Sequence, residues 1–278
     1  MTLKEEEEYN LIISNIVFNP KRGRWLAKLP WIEDPANLPY NKPYAAAVLK
    51  SLKKRLNKHE HKNLYNAEIQ RMLNAGTARR ITKKELDSYK GPKYFLTHHP
   101  IWKLESKSTP CRIVFNSSAK YKGKSMNDLL AKGPSLLNNL PGVLLRWRKG
   151  KIAFAGDIAK MFHSIDIPLE DQMLHLFLWD DKEVEAEPDT LAITTVNMGD
   201  RPSSTIAQAS LRKTAEREST QYPEESRIVI DNTYMDDILG SVDTEEDMKR
   251  VTKNIDTMIG TAGFVIKGLI SGLILIRQ

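Results

Sequence analysis

The sequence predicts a mixed α+β fold, and three observations lead to this. Apolar side chains recur at helical spacing across residues 44–75, and residues 203–218 also have a helical pattern. Short apolar runs at 112–115 and 152–155 have the length and composition of strands. Two more apolar runs flank an Asp pair within 227–242, which predicts a β-hairpin with carboxylates at its tip. Strands and helices in this order are typical of the α+β class.

Residues 1–43 are predicted to form an extended N-terminal arm. Pro and Trp are concentrated between residues 19 and 43. Proline fixes the backbone φ angle and donates no hydrogen bond, so we expect this stretch to lie extended along a surface. The chain opens with Met1-Thr2-Leu3-Lys4 and a run of Glu, which is unlike a signal peptide.

The elements after the arm follow from hydrophobic periodicity and turn residues. Thr244 is expected to cap the last helix, which has acidic residues in its first turn. In chain order, the predicted elements are two helices within 44–75 that end near Gly76, strands at 94–96 and 112–115 joined by a loop at 105–109, a helix at 136–148, a strand at 152–155, a helix at 203–218, a hairpin within 227–242 and a helix at 244–262.

Composition excludes several classes of protein. The 278 residues are 41% hydrophobic and 28% charged, which is ordinary for a globular chain and unlike disordered or collagen-like sequences. No run of 18 apolar residues is present, so we expect no membrane span. Cys111 is the only cysteine, which excludes an intrachain disulfide and a cysteine-based zinc site. We expect an intracellular, cytoplasmic protein.

Positive charge is concentrated in one segment of the chain. Residues 50–93 contain 13 Lys and Arg but only 4 Asp and Glu, a balance of +9, whereas the whole chain carries +7. This concentration favours a polyanionic partner, with nucleic acid ahead of a membrane surface. A solvated helical face accounts for the same pattern and stays an alternative.

The candidate catalytic residues are carboxylates at predicted strand ends. Asp236 and Asp237 lie at the hairpin tip, and Asp157 ends the apolar run at 152–155. If these strands are neighbours, the three side chains form an oxygen-only site suited to Mg²⁺. Two such ions can activate an attacking hydroxyl and stabilise a leaving oxygen in phosphoryl chemistry. The alternative is that these are ordinary turn residues, because Asp is common in turns.

The motif Tyr234-Met235-Asp236-Asp237, in a hairpin and preceded by a strand that ends in Asp, resembles the reverse transcriptases. The likeness extends to the polymerase region of Bel/Pao-type LTR retrotransposons, as a fragment of their polyprotein, over about residues 20–270. The segments that carry it are Leu29–Trp31, His98–Pro100, Cys111–Lys120, Leu129–Pro134, Asp157–His163 and Asn197–Ser203.

The resemblance implies a right-hand polymerase made of fingers and palm, with the palm an antiparallel sheet packed on helices. Residues 44–150 would be mainly fingers, and 151–268 would be palm, with 165–200 partly fingers. Residues 269–278 would be a truncated tail, and the thumb is expected to be missing.

The activity implied by the resemblance is RNA-directed DNA polymerisation, a nucleotidyl transfer that joins dNTPs to the 3′ end of a DNA primer on an RNA or DNA template. Two Mg²⁺ ions, or Mn²⁺ in their place, would be held by Asp157, Asp236 and Asp237. The implied partners are template, primer, dNTPs and other parts of a retroelement polyprotein, with no membrane.

The resemblance also assigns substrate contacts. Tyr234 and Met235 would lie beside the primer terminus, and Phe162 would crowd the sugar 2′ position. Basic residues of the fingers hairpin would contact the triphosphate, and a glycine would allow close approach of the nucleotide; these are Arg112, Lys107 and Gly199.

Two positions depart from the family pattern, and two other functions stay open. Asn116 stands where Asp is usual, and Leu269 stands where Trp is usual. The main alternative is a catalytically silent or co-opted retroelement remnant that binds nucleic acid. A metal-dependent phosphohydrolase would need an extra ligand such as His163, which is poorly spaced for that role.

Overall fold

The computed structural model describes residues 2–58, 61–105, 110–180 and 187–273. The chain divides into two compact units, each assembled from separate parts of the sequence. Unit 1 comprises residues 1–27, 133–165 and 204–278, and unit 2 comprises residues 28–132 and 166–203. Residues 28–43 group with unit 2 and residues 133–150 with unit 1, and the predicted division at 43 and 150 into arm, fingers and palm stays a prediction.

The α-helices, numbered in chain order, are α1 (Leu3–Ser14), α2 (Lys42–Lys58), α3 (Lys62–Asn74), α4 (Lys83–Ser88), α5 (Leu140–Trp147), α6 (Leu169–Gln172), α7 (Ser203–Arg217), α8 (Pro223–Asn232) and α9 (Glu245–Gly260). Short 3₁₀ helices cover Pro35–Asn37, Met126–Leu129 and Met161–Ser164. Among the described residues, no helix is both long and apolar enough to cross a bilayer.

The strands, numbered in the same way, are β1 (Ile16–Asn19), β2 (Arg24–Ala27), β3 (Ala78–Ile81), β4 (Thr97–Trp102), β5 (Cys111–Asn116), β6 (Ile152–Ile158), β7 (Ile165–Asp166), β8 (Leu176–Trp179), β9 (Asp189–Ile193), β10 (Thr233–Tyr234), β11 (Asp237–Val242) and β12 (Ile266–Leu273). Strands and helices are mixed along the chain, so the predicted α+β class is confirmed.

The main sheet of unit 1 is antiparallel, with the order β10-β11-β6-β12. Strand β6 lies inside this sheet, and its side chains are largely buried, including Phe154 and Ile158. Helix α9 contributes one apolar face, with Ile255 and Met258 fully buried. The predicted helix at 244–262 is confirmed, and Thr244 caps it by accepting a hydrogen bond from Asp247 N–H at 3.1 Å.

The predicted extended arm contains regular structure in its first part. Thr2 and Glu5 form a reciprocal capping box that starts α1. Strands β1 and β2 then form an antiparallel hairpin, and Gly23 turns the chain between them at a φ of +59°. Trp25 is buried, and its indole N–H donates to the Thr214 hydroxyl at 2.8 Å. Helix α1 and strand β1 lie before the Pro-rich stretch, which begins near residue 19, and β2 within that stretch is itself extended.

The run from Arg227 to Met235 was expected to be a strand, and this prediction is wrong over most of its length. Helix α8 occupies Pro223–Asn232, and only Thr233 and Tyr234 are extended. Pro223 stands in the first turn of the helix, where its missing N–H costs nothing, and acidic residues follow it. The β-branched residues of this run are accommodated because Val229 packs into the core on the buried side of the helix.

In unit 2, α2 and α3 match the two predicted helices, and Gly76, at a φ of +69°, follows the end of α3. The predicted strand at 94–96 is present only as a single parallel bridge between Phe95 and Leu176 of β8, and strand β4 begins at Thr97. The Asn41 side chain satisfies the backbone of Phe95 itself. It donates to Phe95 O and accepts from Phe95 N–H, both at 2.8 Å. The backbone groups of Phe95 are therefore satisfied without a ladder.

The predicted tail at 269–278 is part of the sheet as far as it is described. Strand β12 pairs with β6 through Leu273, with an irregularity in register between Lys267 and Ile270. Residues 274–278 lie outside the described residues, as does most of the predicted loop at 105–109.

Candidate active site

A two-residue turn connects β10 to β11 and carries the Tyr-Met-Asp-Asp motif. Tyr234 pairs with Asp237 across the hairpin, so Met235 and Asp236 form the turn itself. Met235 has a φ of +57°, which is uncommon for a residue other than glycine. The Gln208 side chain on α7 donates to Met235 O at 2.7 Å and so supports this strained turn. Residues held in such conformations cluster at functional sites.

Strand β6 brings the third carboxylate to the same place. Asp157 is the direct cross-strand partner of Asp237 in the antiparallel ladder between β6 and β11. One residue further along, Ile158 N–H donates to Asp236 O at 2.7 Å. Directly opposed residues of neighbouring strands project to the same face of a sheet. The fold therefore places the three predicted carboxylates at one end of one sheet.

The electrostatics of Asp237 reflect this proximity. All three aspartates are exposed. Partial burial raises the pKa of Asp237, and the negative charges of Asp236 and Asp157 raise that pKa further. Carboxylates that bind a cation are expected to lie close together despite their mutual repulsion.

The donor set fits a hard divalent cation, since it consists of carboxylates alone. Within the described residues, however, no three His, Cys, Asp or Glu side chains are gathered as ligands of one ion. The strand register thus brings the backbones of Asp157, Asp236 and Asp237 together, but their carboxylates are not grouped around one ion position. The metal-binding role of these residues stays a prediction.

Lys267, which no sequence pattern singled out, lies beside the carboxylates in the fold. In the ladder between β12 and β6, Lys267 is the cross-strand partner of Asp157. Asp237, Asp157 and Lys267 therefore form one row across three strands. No signal in the sequence indicated this, because β12 lies 109 positions after Asp157 and its register is set by the sheet.

A second set of polar side chains, which no sequence pattern indicated, holds the chain just before the turn. The Asn138 amide donates to Ile230 O and Thr233 O, both at 2.8 Å. The Arg212 guanidinium donates to Asn138 Oδ1 at 3.2 Å. Gln208 and Arg212 stand four residues apart on α7, amid small residues. This spacing, which places both polar side chains on one face of the helix, was the only feature of the sequence that could have indicated their role.

Phe162 lies in unit 1, half-buried in the short helix Met161–Ser164. Lys160 precedes this helix with a φ of +50°. The Arg24 guanidinium anchors the segment, because its Nε donates to Ser164 O at 3.1 Å and its Nη2 donates to His163 O. Arg24 of β2 thus holds the backbone that directly follows Phe162.

The remaining predicted contacts lie in unit 2 or outside the described residues. Arg112 is exposed on β5, opposite Ile101. Close packing within unit 2 explains why glycine occupies position 199, because a Cβ there would lie 2.3 Å from Phe115 O. Lys107 lies outside the described residues.

Comparison with known proteins gives a result at the level of fold. No protein-family profile matches the chain. No curated protein matches it either.

Solved structures of foamy viral protease-reverse transcriptase do match. A complex with double-stranded DNA gives a TM-score of 0.52 at 15% identity, over 70% of this chain and 28% of that protein. A complex with an RNA/DNA hybrid gives 0.53 at 14% identity, over 75% and 23%. A mutant of the prototype foamy virus enzyme gives 0.53 at 16% identity, over 74% and 23%.

These matches define the class of fold. The chain has a reverse transcriptase-like fold of mixed α+β type, as the sequence predicts. It spans about a quarter of the length of the proteins that it matches. The finer assignment to Bel/Pao-type retrotransposons stays a prediction.

Proposed function

We propose that the protein is the polymerase part of a Bel/Pao-type reverse transcriptase and catalyses RNA-directed DNA synthesis. The observation that carries this proposal is the register of β6 against β11, which sets Asp157 opposite Asp237 with Asp236 in the adjoining turn. Unit 1 would then be mainly palm, and unit 2 would be mainly fingers. A reverse transcriptase-like fold supports both assignments.

In this proposal, Asp157, Asp236 and Asp237 hold two Mg²⁺ ions, with Mn²⁺ as a substitute. When bound, such ions activate the primer 3′ hydroxyl and stabilise the leaving pyrophosphate oxygen. The chain itself supplies negative charge at a rigid sheet end, and Gln208 holds the turn that orients Asp236. Burial raises the pKa of Asp237 and repulsion from Asp236 and Asp157 raises it further, and bound cations would relieve that repulsion.

The other residues would select and hold the substrates. Tyr234 and Met235 would support the primer terminus, and the Phe162 ring would exclude a ribose 2′ hydroxyl by steric hindrance. Arg112 and Lys107 would contact the dNTP triphosphate, since guanidinium and ammonium groups pair with phosphate oxygens. An RNA or DNA template and a DNA primer would be the nucleic acid partners.

Primer extension on an RNA template tests this proposal. Purified wild-type protein should extend a labelled DNA primer with dNTPs and Mg²⁺, and Asp236→Asn should reduce the rate by on the order of 10³-fold, since metal ions supply several kcal/mol. Asp231→Asn is the matched control, because Asp231 is also an exposed aspartate of unit 1. It should extend the primer as the wild type does.

The second candidate is a catalytically silent or co-opted remnant that binds nucleic acid. The strongly basic α2 favours it, because this helix holds six Lys and Arg and no acidic residue. Absence of extension with either Mg²⁺ or Mn²⁺, together with retained binding of a primer–template, would establish this alternative and reject the polymerase proposal.

A further inference from the structure

His98 and His175 are both buried in unit 2, but their rings have different hydrogen-bond environments. His98 Nε2–H donates to Leu178 O at 2.9 Å, and its Nδ1 accepts from the Tyr65 hydroxyl. One donor and one acceptor are what a neutral imidazole offers. Burial accordingly lowers the pKa of His98 to about 4, so this ring is uncharged at neutral pH.

His175, by contrast, has an acceptor on each side of its ring. Its Nε2 lies 2.8 Å from Asp200 Oδ2, and its Nδ1 lies 2.8 Å from Asp171 O. A backbone carbonyl and an ionised carboxylate can only accept, so both ring nitrogens must carry a proton if both contacts are hydrogen bonds. The geometry therefore calls for an imidazolium inside the protein, on a side chain with no exposed surface.

The other contacts of Asp200 show why the proton lies on the imidazole. Asp200 Oδ1 accepts from the Ser117 hydroxyl at 2.5 Å and from the Asn197 amide at 2.9 Å. Hydrogen bonds donated to a carboxyl group favour its ionised form. Asp200 is thus a carboxylate, and His175 is its buried counter-ion.

The charged groups that act on the His175 ring come from two elements, with Asp200 following β9 and Asp171 in α6. Burial opposes a charge on the ring, but the charges and hydrogen bonds of these two residues together raise the pKa of His175 above its ordinary value of 6.5. The folded-state pKa is therefore above the unfolded one. The resulting stabilisation is complete below pH 6.5 and is lost as pH rises through the folded-state value.

Asp200 lies in a turn, residues 197–202, that leads into α7. The turn is exposed at Met198, whereas Asn197 and Asp200 are buried at its base. Through Asp200, the His175 ring joins the base of the turn to the backbone of α6. A neutral ring has one N–H and one lone pair, so it can keep only one of these two hydrogen bonds and repels the acceptor at the other.

We propose that the proton on His175 is a pH-sensitive lock on this turn: the charged ring holds residues 197–202 against α6, and loss of the proton at alkaline pH releases them. The lock uses no residue of the carboxylate site, so the proposal goes beyond polymerase activity and holds for a chain that does not polymerise. In a polymerase, the lock would control the turn that carries Gly199, a predicted nucleotide contact.

Nitrogen-15 NMR of protein labelled at histidine reads the charge on the wild-type ring directly. At pH 7, where an imidazole in water is mostly neutral, both nitrogens of His175 should carry protons. His98 is the matched control, because it is equally enclosed and should show one protonated and one unprotonated nitrogen. A His175 ring that is neutral at pH 7 would overturn the proposal.

Hydrogen exchange measures the release of the turn. Asp200 N–H donates to Asn197 O at 3.0 Å, and Arg201 N–H donates to Asn127 Oδ1 at 2.9 Å, so both amides report on its closed form. After correction for intrinsic exchange rates, the opening equilibrium should rise about tenfold per pH unit from pH 6.5 to the folded-state pKa of His175, since opening releases one proton. Constant opening across this range would contradict the lock.

Asp200→Asn separates the lock from a purely structural role. The new amide can donate to Nε2, so a neutral His175 can keep its hydrogen bond to Asp171 O. This variant should have a neutral His175 at pH 7 and an opening of the turn that does not change with pH. Asp189→Asn is the matched control, since it alters a partly exposed aspartate of unit 2 that pairs with Arg80, and it should retain the wild-type pH dependence.

A wild-type pH dependence in Asp200→Asn would overturn the proposal. If circular dichroism shows that this variant is unfolded, the two wild-type measurements still decide the question. Both readouts are made without dNTPs or Mg²⁺, so their failure is distinct from a failure of primer extension.

Discussion

In unit 1, Asp157, Asp236 and Asp237 lie exposed at one end of a sheet, whereas in unit 2 Asp171 and Asp200 are almost fully buried. The exposed set makes an electrostatically unfavourable cluster, in which two like charges help raise the pKa of Asp237. Each buried carboxylate is instead satisfied by several donors. Burial and complete pairing therefore mark a structural carboxylate, while exposed carboxylates brought together against their repulsion mark a candidate functional site.

The partners of Asp200 show how complete this pairing is. Its carboxylate accepts from the Ser117 hydroxyl at 2.5 Å, from the Asn197 amide at 2.9 Å and from His175 Nε2 at 2.8 Å. His175 Nδ1 lies 2.8 Å from Asp171 O. Burial opposes a positive charge on His175, but the charge and hydrogen bonds of Asp200 and Asp171 together raise the pKa of the imidazole. Because both ring nitrogens face acceptors, the doubly protonated form fits this site.

The Asp171 carboxylate is satisfied in the same way. It accepts from Leu29 N–H at 2.8 Å and from the Trp31 indole N–H at 2.9 Å. Burial raises the pKa of Asp171, while these two hydrogen bonds act in the opposite direction. The carboxylate thereby ties the segment at residues 29–31 into unit 2.

The largest expected effect comes from breaking the buried set. Asp200→Ala should destabilise the protein by about 3–5 kcal/mol, because it leaves the His175 imidazolium buried without its partner. Urea denaturation followed by circular dichroism measures this. The matched control is Asp189→Ala, which breaks the exposed pair with Arg80 and should cost less than about 1 kcal/mol. Equal losses in the two variants would contradict the structural role of the buried carboxylate.

An intermediate loss of stability is expected at Gln208, whose buried side chain supports the turn next to the exposed aspartates. Gln208→Leu removes the donor to Met235 O and should cost about 1–3 kcal/mol, because the carbonyl of a strained turn loses its partner. The control is Gln70→Leu, which removes an exposed side-chain hydrogen bond to Asn74 and should stay within about 0.5 kcal/mol of the wild type. If Gln208→Leu is as stable as this control, the turn does not depend on Gln208.

The smallest change in stability should come from the exposed aspartates themselves, and it should be a gain rather than a loss. Asp237→Asn removes a charge that Asp236 and Asp157 repel, so it should raise stability at pH 7 by less than about 1 kcal/mol, given solvent screening. The folded-state pKa of Asp237 is above its unfolded value, so the repulsion develops as pH rises through that pKa and is absent below the unfolded value of 3.8. Melting temperatures at acidic and neutral pH measure this difference. A destabilised Asp237→Asn at pH 7 would contradict a repulsive cluster.

Local patterns in the sequence were sufficient for much of the fold. Helix α9 and its cap at Thr244 followed from periodicity and a first turn of acids. Strand β6 followed from an apolar run that ends at Gly156-Asp157. The motif at Tyr234–Asp237 was correctly expected in a turn between strands, although β10 is only two residues long.

Other parts depended on contacts that no local pattern reveals. The β-branched run after Arg227 is helical because the core accepts one side of α8. Residues 94–96 form only an isolated bridge to Leu176, and Asn41, 54 positions before Phe95, satisfies the backbone of Phe95. The supporting roles of Gln208 and Asn138 likewise arise from residues distant in sequence, 27 positions from Met235 and 95 from Thr233.

Periodicity and turn chemistry act over a few residues, so local patterns were enough to predict the fold class, most of the helices and the candidate carboxylates. Relations between distant segments became visible in the folded chain alone: Asp157 opposes Asp237, Lys267 continues the same row, and Tyr44 and Trp102 line one cleft. These relations depend on strand register and helix packing. Both are set by the burial of apolar surface and by the pairing of backbone hydrogen bonds between segments far apart in the chain.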